Sequence, residues 1–76
     1  MTAGDLIEVV PKSWEQPPLE SKHAVLVVES ETGIHYVEMG CIGVWICENS
    51  FSTGWPIVMF QGKVGRMRTS RFIRVP

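Results

Sequence analysis

The side chains best equipped for chemistry are His23, His35, Cys41 and Cys47, separated along the chain by twelve, six and six residues. Zinc sites are built from closer ligand pairs, CxxC or HxxxH, because one tight turn or helix face must bring both donors onto the ion. No such pair occurs here. A Cys–His nucleophile would have to combine Cys41 or Cys47 with His35, and neither an orienting acid nor an oxyanion loop accompanies them. Gly62-Lys63-Val64-Gly65 follows a strand but opens no helix, so it is not a phosphate-binding loop. The expectation is a protein that is not an enzyme, with no metal, no cofactor and no small-molecule substrate. If Cys41 and Cys47 share a strand, they lie about 20 Å apart, too far for a disulfide. They are expected as free core thiols of a reducing compartment.

Two other groups of residues point to binding. The first is aromatic: Trp14, Trp45, Phe51 and Trp55 are candidates for a protein contact, where tryptophan is a frequent anchor. The second is cationic. Residues 1–62 hold all eight acids and two lysines, a balance of −6, while residues 63–76 hold Lys63, Arg66, Arg68, Arg71 and Arg74 and no acid, a balance of +5. Such a strip has three candidate counterparts: a phosphate backbone, the acidic face of another protein, or the chain's own first strand, which carries Asp5 and Glu8. Only Phe72 is a local aromatic, so base stacking on the strip has no support.

The elements that must position these residues are short. The chain has 76 residues, with 45% hydrophobic and 20% charged side chains, which excludes the disordered class and gives one small domain with a thin core. Strands are expected at Leu6–Val10, Ala24–Glu29, Val44–Cys47, Trp55–Phe60 and Val64–Met67, with further short strands at Ile34–Glu38 and Ile73–Val75. Pro11–Lys22 carries three prolines and reads as a long surface loop pinned by Trp14 and Leu19. Gln61-Gly62-Lys63 reads as a tight turn, and Thr69–Phe72 as one helical turn. No window has convincing helical periodicity. In Cys41–Cys47, alternation puts Ile42, Val44 and Ile46 on one face and Cys41, Gly43, Trp45 and Cys47 on the other. Both faces are apolar, so one of them needs a cover: the Pro11–Lys22 loop or another molecule. The N-terminal residues have neither a basic nor an apolar leader segment, and no apolar run approaches a membrane span. A cytoplasmic protein is expected, in a host cytoplasm or a virion if it is phage-encoded.

The order of pieces resembles SH3-like barrels of the bacterial and bacteriophage kind. The likeness is carried by Gly4-Asp5-Leu6-Ile7-Glu8-Val9-Val10, Gly40-Cys41-Ile42-Gly43-Val44, Ile57-Val58-Met59-Phe60-Gln61-Gly62-Lys63 and Arg68-Thr69-Ser70-Arg71-Phe72-Ile73-Arg74-Val75. It implies a small, partly open all-β barrel over residues 1–76, of five or six short antiparallel strands with one helical turn near the C-terminus. Gly40–Val44 lacks the basic residues of the KOW pattern, and the loop after the first strand lacks the aromatic set that signalling SH3 domains use for proline-rich peptides. The expected function is a protein-interaction or structural module that docks on a larger assembly or on itself. The alternative is a nucleic-acid-binding barrel that uses the basic strip.

Overall fold

Apolar residues at alternate positions make strands with one face turned inward, and that alternation sets the architecture. The structure is a computed structural model that describes residues 1–10, 23–28 and 33–76. Among these residues seven strands run in chain order: β1 (Leu6–Val9), β2 (His23–Val28), β3 (Gly33–Glu38), β4 (Ile42–Cys47), β5 (Ile57–Phe60), β6 (Lys63–Arg66) and β7 (Phe72–Arg74). A 3-10 turn, Thr69–Arg71, precedes β7. The sheet order is β3-β2-β6-β5-β4-β1-β7, and every pairing is antiparallel. The all-β class and the late helical turn are as expected. The strand count exceeds five or six because Ile34–Glu38 and the short C-terminal segment both find partners, β2 and β1. Trp14, Leu19 and the rest of the Pro11–Lys22 loop lie outside the described residues.

The inner face holds Ile7, Val9, Ala24, Leu26, Val28, Val37, Trp45, Val58, Phe60, Met67 and Phe72 in one cluster. The radius of gyration is 11.8 Å, against about 11.4 Å for a compact chain of this length. Two glycines are dictated by geometry. At the β5–β6 hairpin, Phe60 pairs with Lys63 across the two-residue loop Gln61-Gly62, with φ of 54° and 77°. Positive φ at both positions is what a type I′ turn requires. At Gly65 the Val27 carbonyl approaches so closely that a Cβ would overlap it. At that position β6 can therefore lie against β2 only as a glycine.

Among the described strands, the edges of the ladder are β3 and β7. One buried side chain reaches from the β7 side back to the start of β2. Arg71, 6% exposed, donates from Nε to the Val10 carbonyl and from a terminal nitrogen to the His23 carbonyl, both at 3.3 Å. The Val10 amide donates in turn to the Arg71 carbonyl at 2.9 Å.

Candidate functional site

The sheet's outer face is apolar as well. Directly opposed residues of an antiparallel pair point to the same side. Leu6 opposes Val44, Val44 opposes Met59, and Met59 opposes Val64, so β1, β4, β5 and β6 contribute one unbroken row. Leu6 is 50%, Met59 36% and Val64 49% exposed. In the adjacent row Glu8 lies between Ile42 on β4 and Ile73 on β7. Both isoleucines are about half exposed, while Glu8 is half-buried. Monomeric soluble proteins rarely expose contiguous apolar patches beyond roughly 300–600 Å². Leu6, Ile42, Val64 and Ile73 are about half exposed, Met59 is less so and Val44 is partly buried among them.

One end of this face leads into an open pocket of about 410 Å³ lined by Glu48, Asn49, Ser50, Phe51, Ile57 and Arg66. Ile57 and Arg66 oppose each other on β5 and β6. The Phe51 amide donates to Asn49 Oδ1 at 3.0 Å, which fixes the turn that carries the ring. That ring is 98% exposed.

The aromatic candidates therefore separate. Phe51 stands free beside the outer face, and Trp55 is half-buried just before β5. Trp45 requires a correction. It faces inward opposite Val58 and is only 7% exposed, so it is a core side chain and no partner reaches it in the folded state. Trp14 lies outside the described residues.

The cationic strip also separates. Arg66 lies on the outer face, Arg68 is exposed after β6, and Lys63 sits at the β5–β6 hairpin. Arg71 is corrected from a contact residue to an internal clamp, because it is buried and its guanidinium donates to two carbonyls of its own chain. Arg74 reaches Asp5, with Nε 3.5 Å from the carboxylate. It thus follows the last of the three alternatives, pairing beside the first strand.

The thiols also differ from expectation. Both are free: Cys41 is half-buried and packs against the core, while Cys47 is exposed and is not a core thiol. A bulge between Trp45 and Cys47 explains the second case. The inserted residue shifts the alternation by one, and Cys47 comes opposite Ile57 on the outer side. Gln61 joins two of the other chemistry-bearing side chains. Its Oε1 lies 2.7 Å from His35 Nε2, and its amide nitrogen lies 3.7 Å from Cys41 Sγ. Among the described residues, no three of His, Cys, Asp or Glu gather as a metal site. No helix among them is long and apolar enough to cross a membrane.

The outer row was partly legible in the sequence, since Ile42 and Val44 share a face by alternation. Leu6, Val64 and Ile73 as its other members were not, because cross-strand register leaves no mark in a single strand. No protein-family model, no curated protein and no solved structure matches the chain. The SH3-like resemblance rests on the residues quoted for it.

Proposed function

We propose that this chain is a non-catalytic interaction module that docks through the outer face of its sheet onto a larger protein. The observation that supports this reading is the continuous apolar row Leu6–Val44–Met59–Val64, drawn from four strands on the face opposite the core and exposed at Leu6, Met59 and Val64. Burial of such surface contributes about 25 cal/mol per Å² before the costs of association. The partner it fits presents a flat apolar surface, with a cation or hydrogen-bond donor placed to meet Glu8 between Ile42 and Ile73. That half-buried carboxylate sets the register of docking, since an unmatched charge there would be penalised on desolvation. The free thiols fit a reducing compartment, the cytoplasm or a particle assembled in it.

The test uses three baits in lysate of the source cell: the wild-type chain, Val64→Lys, and Arg68→Glu. A protein held by wild type and by Arg68→Glu but lost from Val64→Lys supports the reading. Capture indifferent to Val64→Lys overturns it, and so does no capture at all. A parallel salt titration with single- and double-stranded oligonucleotides covers the basic residues. Micromolar binding that falls steeply with salt and collapses in the Arg66→Glu, Arg68→Glu double variant would replace a protein partner with a nucleic acid.

A further inference from the structure

The two ladder edges are not alike. β7 has three residues, its Arg74 is held by Asp5, and the chain leaves it through Val75 to a proline. Short length, charge and proline are the ordinary ways of keeping a sheet edge from pairing with another chain. β3 is neither short nor interrupted by proline, and its one carboxylate, Glu38, stands at its last position. It runs six residues, Gly33–Glu38, and stays in unbroken register with β2 over six consecutive pairs. It contains neither proline nor lysine, and no bulge twists it away. Among the described residues no strand pairs with its far side. An antiparallel strand turns the N–H and C=O of every second residue away from its partner. β3 therefore offers a straight row of donors and acceptors about 20 Å long.

The row is held in place from both sides of the sheet. Inward, Val37 is fully buried and His35 is hydrogen-bonded to Gln61 on the β5–β6 turn. Outward, the Tyr36 ring meets His23 edge-to-face, with centroids 6.3 Å apart and planes at 72°. Ile34 and Tyr36 project on that outer side, 54% and 58% exposed. An edge already ordered in this way loses little freedom when another strand joins it.

We propose that the free edge of β3 pairs antiparallel with β3 of a second copy of the chain, joining the two sheets into one about a two-fold axis at His35. The strand's own side-chain order favours a second copy over an unrelated segment. Directly opposed residues must share a face, so the axis has to pass through a residue. At His35 it sets Ile34 against Tyr36 of the second copy, and by symmetry does so twice. A β-branched residue against an aromatic is among the favourable cross-strand pairs. At Tyr36 the axis would set Ile34 against Glu38 of the second copy, an apolar group against a carboxylate. Two-fold closure also consumes both edges at once and leaves no β3 free to propagate a fibre. The contact uses an edge and not the apolar outer row, so it stands apart from the docking reading.

Sedimentation equilibrium from about 1 µM to 1 mM tests it, with circular dichroism as the fold check. The expected result is a dimer whose population rises with concentration and whose dissociation constant increases at least tenfold in Ile34→Lys and in Tyr36→Lys. Val64→Lys, on the docking row, should leave the dimer intact. A chain that stays monomeric to 1 mM overturns the proposal, and so does a dimer lost in Val64→Lys but kept in Ile34→Lys. Should the lysine variants fail to fold, amide exchange on the wild type decides. Alternate amides of residues 33–38 should gain protection with concentration while those of β7 do not; exchange in β3 that is independent of concentration refutes the pairing.

Discussion

Replacement of Arg71 by methionine separates an internal clamp from a ligand-binding cation. The side chain is 6% exposed, and its two hydrogen bonds, to the Val10 and His23 carbonyls, both measure 3.3 Å. Hydrogen bonds from a charged donor contribute about 1.5–3 kcal/mol each. At 3.3 Å these lie beyond the usual N–H···O range, so the lower figure applies and the pair sums to about 3 kcal/mol. Methionine keeps much of the packing and removes the desolvation cost of a buried cation, which returns part of the loss. The net expectation for Arg71→Met is a destabilisation of about 2 kcal/mol. A chain of this length has a total stability of roughly 4–11 kcal/mol, so this loss is a large share of it. Lysine should not rescue it fully, because a single ammonium cannot reproduce the fork that reaches two carbonyls.

The assay is urea unfolding followed through tryptophan emission, to which the buried Trp45 contributes. With a slope of about 1 kcal/mol per M for a small domain, the midpoint should fall by about 2 M. Two neighbouring arginines serve as controls. Arg74→Ala removes an ion pair whose guanidinium side is 67% exposed, and should cost no more than about 1 kcal/mol. Arg68→Ala should stay within about 0.5 kcal/mol of wild type. A midpoint unchanged by Arg71→Met would refute the clamp. Unchanged stability together with lost oligonucleotide binding would return Arg71 to the cationic strip.

Two further substitutions test the placement of the inner face. Trp45→Ala should cost about 3–5 kcal/mol, enough to unfold much of the population, while Phe51→Ala should leave the urea midpoint within about 0.5 kcal/mol of wild type; equal effects would mean that the two rings have been assigned to the wrong environments. Gly65→Ala should cost about 1–3 kcal/mol, because the new Cβ meets the Val27 backbone and a backbone cannot swing aside. It should lower the melting temperature by several degrees and speed amide exchange at the Val27–Arg66 pairing; a fully stable variant would mean that β6 does not lie so close to β2.

How much of this was legible in the sequence depended on whether one strand sufficed to decide it. The strand at β2, the Gln61-Gly62 turn and the helical turn beginning at Thr69 are local, and the structure has them close to where the residues put them. Period two over residues 64–68 sets Arg66 and Arg68 on the face opposite Gly65 and Met67, and the burial of Gly65 and Met67 agrees. Cys47 did not follow, because a bulge is a relation between two strands and one inserted residue reverses every later side chain. Arg71 was misread for a related reason. In sequence it is one of five cations in a row, and only the return of β7 beside β1 brings it under two carbonyls.

The same distinction explains why the candidate surface lies where it does. Alternation along β4 shows two apolar faces but not which one the core takes. Trp45 decides that by size. It fills space opposite Val58, and Gly43 on the same side leaves room for the Phe60 ring, where a Cβ would overlap it. A large residue beside a missing side chain makes an interdigitating layer, which a β-branched row cannot do as well. With Gly43 and Trp45 turned inward, Ile42 and Val44 must face outward. Register then carries Val44 to Leu6 on one side and to Met59 and Val64 on the other. The exposed row is thus a consequence of how the core packs, and moving it inward would require an exchange of every side chain on four strands. On the docking proposed for this row, whatever covers it stabilises the chain, and Val64→Lys is expected to abolish docking while leaving the fold intact.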